Sequence, residues 1–102
     1  MRKFEREMKV WRRRTNRIIE LEGKYIDYEY CGMKGKYKGR KIDDKPDGLG
    51  ILKEGENMTQ AEWKEGVFHG KVFRRWKGHC DQYMEYRNGK PDGISVTMYK
   101  NG

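Results

Sequence analysis

Glu62-Trp63-Lys64-Glu65-Gly66-Val67-Phe68-His69-Gly70 and Glu85-Tyr86-Arg87-Asn88-Gly89-Lys90-Pro91-Asp92-Gly93 share one layout, 23 residues apart. Each runs acid, aromatic, base, polar residue, Gly, a variable stretch, Gly. A third copy precedes them and closes in Lys45-Pro46-Asp47-Gly48, which returns letter for letter as Lys90-Pro91-Asp92-Gly93. From Gly48 to Gly70 the spacing is 22, so one residue has been lost there. A fixed period of this length marks a repeat architecture in which each unit is one supersecondary element.

Outward from the repeat, the texture is that of short strands. Asp47-Gly48, Asn88-Gly89, Asp92-Gly93 and Asn101-Gly102 read as tight turns, because such dipeptides supply the positive φ angles that hairpins need. Between them lie short runs rich in Tyr, Trp, Val, Ile and Thr. Tyr25 to Cys31 alternates as a strand does, with Ile26, Tyr28 and Tyr30 on one face. The expected fold is mainly β: stacked antiparallel hairpins in a single twisted sheet over residues 23–102. One hairpin cannot bury its own face, so several must stack.

Residues 1–22 read differently, as a basic amphipathic α-helix. Phe4, Met8, Trp11, Thr15 and Ile18 recur at spacings of four, three, four and three, which places them on one helix face. Gly23 is the stop signal just beyond. The apolar stripe is read as a packing surface, against either the chain's own sheet or a partner. Residues 1–19 carry eight basic side chains against Glu5 and Glu7, so most of the net charge of +8 sits in this arm. That asymmetry suits either an acidic partner or a solvated outer face.

The repeat resembles the MORN repeat, whose unit runs roughly Tyr-x-Gly-x-Trp-x-x-Gly-x-x-x-Gly-x-Gly. Tyr37-x-Gly39 and Gly48-x-Gly50 match in the first copy. Trp63, Gly66, His69 and Gly70 match in the second, where Thr59, Ala61 and Val72 depart from the pattern. In the third, Gly89 and Gly93 match and Tyr86 stands for Trp. The stretch from Tyr86 to Gly93, followed by Tyr99-Lys100-Asn101-Gly102, is closer to the bacterial and phage variant. The resemblance covers about residues 37–102. It implies an elongated sheet with an aromatic-lined groove, and structural roles for Gly48, Gly50, Trp63, Gly66, Gly70, Tyr86, Gly89 and Gly93. Family members serve mainly in scaffolding and dimerisation; some bind lipid headgroups, and small bacterial proteins labelled antitoxins carry the variant.

Composition bounds the function classes. At 102 residues with 34% hydrophobic and 39% charged residues, the chain suits one thin domain with a core of aromatic rings. Cys31 and Cys80 make no disulfide framework. No apolar run approaches a membrane span. The N-terminus has neither the apolar region nor the cleavage site of a secretory signal, and its acids argue against a mitochondrial presequence. The expected setting is therefore cytoplasmic and reducing. His69 fits the family's position before a turn Gly. His79-Cys80 with Cys31 lacks any zinc-ligand spacing. Gly32, Gly35 and Gly39 lack the Lys-Ser/Thr ending of a phosphate loop. Neither a nucleophile–base pairing, a metal site, a cofactor nor a small-molecule substrate is expected.

Two binding readings follow. The first is a non-enzymatic protein-interaction module, a small inhibitor or accessory subunit, with Arg12, Arg13, Arg14, Arg17, Trp76 and Tyr99 as partner-binding residues. Trp76 falls outside the repeated Trp63/Tyr86 position, so it reads either as an exposed anchor or as a core ring. The second is RNA binding through the arginine-rich helix; an anionic membrane surface ranks below both.

Overall fold

Three two-residue turns recur at one position of the repeat, and their backbone angles organise the chain. Asp43-Asp44, Glu65-Gly66 and Asn88-Gly89 have φ of 52° and 62°, 50° and 84°, and 50° and 83°. Positive φ at both central residues is the type I′ geometry, whose twist matches that of the flanking strands. The computed structural model describes residues 3–99. It shows α1 (Lys3–Glu20), β1 (Ile26–Tyr30), β2 (Met33–Ile42), β3 (Lys45–Glu54), β4 (Asn57–Lys64), β5 (Val67–Trp76), β6 (Cys80–Arg87) and β7 (Lys90–Tyr99). The strands form one antiparallel sheet in sequence order. Mainly β with a single N-terminal helix is the observed class.

Asp47-Gly48 and Asp92-Gly93 are not turns. They lie inside β3 and β7, and Gly70 lies inside β5. At each the register slips: one residue of the facing strand stands opposite three of the Gly-bearing strand, between Gly39/Lys41, Ala61/Trp63 and Met84/Tyr86. These are β-bulges, where extra residues bend the strand and sharpen its twist. Gly48, Gly70 and Gly93 hold φ of 103°, 116° and 110°, and a Cβ there would point at the side chains of Arg40, Glu62 and Glu85. The Glu62 carboxylate is also engaged, accepting from the Lys71 N–H at 2.6 Å. Gly70→Val is therefore expected to lower stability by about 1–2 kcal/mol or more, read as a lower thermal midpoint. An unchanged midpoint would show that the bulge can be refilled without strain. The Asn101-Gly102 turn and residues 1 and 2 of the helical arm lie outside the described residues.

The two faces of the sheet have different covers. One cross-strand row runs Lys38, Ile51, Gln60, Phe73, Tyr83 and Val96, and α1 packs on Gln60, Phe73 and Tyr83. Met8 is fully buried there with Phe73 and Tyr83, and Phe4, Trp11, Met58 and Met98 close around them. The Gln60 side-chain amide donates to the Arg12 carbonyl at 3.0 Å and to the Thr15 hydroxyl, pinning the helix mid-length. The buried stripe ends on Ile19, 2% exposed, rather than on Ile18, 43% exposed. Continuing the four-residue step from Thr15 reaches Ile19, which keeps the stripe aligned over the sheet. The helix thus packs on its own sheet.

The opposite face curls on itself. Tyr37, Leu52, Ala61, Trp63, Phe68 and Val72 form its core, with Tyr28, Tyr30 and Tyr86 packed against it. Although β1 pairs only with β2, its tyrosines reach the β4–β5 hairpin. The Tyr28 hydroxyl donates to the Gly66 carbonyl at 2.9 Å, and the Tyr30 hydroxyl accepts from the Phe68 N–H at 3.3 Å. Gly50 makes room for the ring of Tyr37, since a Cβ there would lie 2.1 Å from its hydroxyl. Burial raises the Tyr37 phenol well above its ordinary range, and those of Tyr28 and Tyr30 are raised too. The expected aromatic groove is thus largely filled by the chain's own β1.

Candidate functional site

How one hairpin seats on the next defines the surface left over at the end of the stack. The turn Gly66 N–H donates to the Pro46 carbonyl at 2.9 Å, and the preceding Glu65 N–H donates to the Asp47 carboxylate at 3.2 Å. One unit later the pattern returns: Gly89 N–H to the Phe68 carbonyl at 2.8 Å, and Asn88 N–H to His69 Nδ1 at 3.1 Å. Each unit therefore offers a carbonyl and a side-chain acceptor to the next turn. These bonds give Asp47 and His69 a structural role that sequence spacing alone did not assign to Asp47. The carbonyl-bearing residues Pro46 and Phe68 are buried beneath the turns they receive.

At the β5–β7 end the sheet presents a different surface. Trp76, Cys80 and Tyr99 form one cross-strand row, with Arg74, Gln82 and Thr97 in the row two residues along on the same face. Trp76 is half-buried: its indole N–H donates to Gln82 Oε1 at 3.0 Å, and the Arg74 guanidinium stacks 4.6 Å from its ring. Arg74 also donates to Met33 Sδ at 2.9 Å. Trp76 is thus an anchored, half-buried ring, between the two sequence readings. Tyr99 is 73% exposed. From Ile94 to Tyr99 the strand carries no charge, and among the described residues β7 pairs with β6 alone. Trp76 and Tyr99 thus share this face, on either side of Cys80.

The arginines are not brought to that surface, and they divide. Arg13, Arg14 and Arg17 are exposed on the helix. Arg12 instead turns inward, its guanidinium 3.6 Å from the centre of the Phe73 ring, with Nε buried. A cation held over an aromatic face beneath the helix is a packing element, which sets Arg12 apart from the three exposed arginines. Away from the helix, Tyr25 lies between the Lys38 and Lys53 ammonium groups at 5.6 and 5.3 Å.

The remaining repeat residues are structural in position. Trp63 and Tyr86 sit within the curled face, Trp63 donating to the Gly50 carbonyl at 3.3 Å. Gly66 and Gly89 close turns, whereas Gly48, Gly70 and Gly93 form bulges. Cys31 is exposed in the β1–β2 turn and Cys80 half-buried at the start of β6. Among the described residues no three metal-ligating side chains gather, and no helix is long and apolar enough to cross a membrane. No family model, curated protein or solved structure matches this chain.

Proposed function

We propose that the chain is a MORN-like, non-enzymatic module that binds a partner protein through its β5–β7 end in a reducing, cytoplasmic setting. The observation that carries this reading is the placement of Trp76 and Tyr99 in one cross-strand row on one face, with the uncharged Ile94–Tyr99 stretch of β7 paired on one side alone among the described residues. Natural sheets protect such strands with charge, Pro or a cover. Rigid aromatic rings are the residues that most often dominate binding energy. The curled face offers less, because Tyr28 and Tyr30 already occupy it. Arg13, Arg14 and Arg17 lie on the helix, where they favour encounter with an acidic partner rather than its retention.

Binding kinetics test this division. With a partner captured from the native host by a photo-crosslinking residue at position 99, Trp76→Ala and Tyr99→Ala are expected to speed dissociation. Trp76→Ala should do so by about tenfold or more, as loss of an aromatic anchor does. Reversal of Arg13, Arg14 and Arg17 to Glu should instead slow association and flatten its salt dependence. The opposite result, a charge-reversed variant that no longer binds beside a normal Trp76→Ala variant, would favour RNA or another polyanion. A phosphate-dominated complex would also weaken steeply with salt.

A further inference from the structure

The hydrogen bonds that stack the units are used twice inside the chain, and a third set of the same acceptors stands exposed. Pro46 and Asp47 receive the turn Glu65-Gly66, and Phe68 and His69 receive the turn Asn88-Gly89. Pro91 and Asp92 occupy the equivalent place in the third unit, just past its turn and before the bulge at Gly93. Pro46 is fully buried, whereas Pro91, in the same Lys-Pro-Asp-Gly sequence, is exposed. The physical difference is the cover: a following hairpin lies over Pro46, and among the described residues none lies over Pro91. Among the described residues the Asp92 carboxylate meets Arg87, at 3.3 Å, in a pair with both side chains more than half exposed. Such a pair contributes little and yields readily to a better donor.

We infer that Pro91 and Asp92 form a socket for a β-hairpin supplied by a partner protein. The two filled sockets show what the occupant must bring. It is a two-residue type I′ turn whose successive N–H groups point at the Asp92 carboxylate and the Pro91 carbonyl. The strand leading into that turn would run antiparallel to β7, as β4 does to β3 and β6 to β5. Its side chains would then meet the uncharged Ile94–Tyr99 stretch, so the inference rests on the β5–β7 end being the docking surface. A second copy is a poor occupant. Its Asp43-Asp44 turn would bring two more carboxylates against Asp92, its turns 65–66 and 88–89 are already seated, and its Cys31-Gly32 turn, with φ of 51° and 79°, is led by the five-residue β1 whose tyrosines are held on the β4–β5 hairpin.

The probe is a synthetic peptide of residues 80–99 with Tyr99→Cys, closed by a disulfide to Cys80. Cys80 and Tyr99 are direct cross-strand partners, at a separation a disulfide spans. The peptide presents the Asn88-Gly89 turn. Titrated into the isotope-labelled full chain, it is expected to shift the amide resonances of Asp92 to Thr97. Asp92→Ala should weaken it by about tenfold, the loss of a hydrogen bond to a charged acceptor. Asp92→His should bind almost as the parent does, because His69 fills the same role one unit earlier. Asp92 is exposed, so both variants should melt with the parent. Unmoved β7 resonances, or equal affinities for the Ala and His variants, would overturn the socket. So would self-association of the parent in sedimentation that Asp92→Ala abolishes, which would make the occupant a second copy. If the captured host protein is released by Trp76→Ala and Tyr99→Ala but not by Asp92→Ala, the socket fails while the docking surface stands. If none of the three releases it, both fail.

Discussion

Trp63→Ala is expected to destabilise the chain by about 3–5 kcal/mol, the range for removing a large buried aromatic ring. Trp63 is 3% exposed and touches the rings of Tyr28, Tyr30, Tyr37 and Phe68, with centroids 4.7 to 6.1 Å away. It is the hub through which β1, β2 and the β4–β5 hairpin hold together. Its removal leaves a cavity between layers that are otherwise joined by the Tyr30–Phe68 ring contact and by two tyrosine hydroxyl bonds, to Gly66 and Phe68. Tyr86 occupies the equivalent place one unit on, but it is only half-buried and meets Phe68 alone among the rings, at 5.1 Å. Tyr86→Ala should therefore cost distinctly less than Trp63→Ala, although the two are repeat equivalents. Chemical denaturation of both variants checks this. Equal losses would mean that the curled-over β1 adds nothing at Trp63.

That asymmetry marks how far the sequence could be read. The turn at Asn88-Gly89 was legible because Asn followed by Gly meets the type I′ requirement directly. Asp47-Gly48 and Asp92-Gly93 misled because a bulge and a turn can both call for a glycine at positive φ. Only the strand pairing tells them apart, and pairing is a long-range property. The first unit's true turn, Asp43-Asp44, carries no glycine at all. On the helix, the four-and-three period pointed to Ile18, and the sheet beneath picks Ile19 instead. Arg12 looks like its neighbours in sequence, yet it borders the apolar stripe and finds Phe73, a ring on a strand far along the chain. The aromatics at the β5–β7 end were half legible. Tyr99 is exposed, while the anchoring of Trp76 by Gln82 and Arg74 depends on three residues meeting across β5 and β6. The acceptor role of Asp47 was invisible for the same reason, since it exists only once consecutive hairpins stack.

Met8→Asp is expected to unseat the helix. Met8 has no exposed surface and fills the space between α1 and the rings of Phe73 and Tyr83. A carboxylate there would lose its hydration among aromatic carbons, with no cation of the helix–sheet contact free to meet it except Arg12, which would have to leave the Phe73 ring. Breaking a packed site with an uncompensated charge costs several kcal/mol, about 3–5 by comparison with broken buried pairs. That is comparable to the whole stability of a domain this small. The alternative to global unfolding is local detachment, with α1 released and the ring-filled opposite face intact. Hydrogen exchange separates the two. Detachment predicts that amides of α1 lose protection while those of β3 to β5 keep it, and that Gln60, robbed of its partners on the helix, becomes accessible. Met8→Leu is the control: similar volume and no charge should cost less than about 1.5 kcal/mol. Full protection of α1 in the Met8→Asp variant would show that the helix is held by contacts other than those at Phe73 and Tyr83.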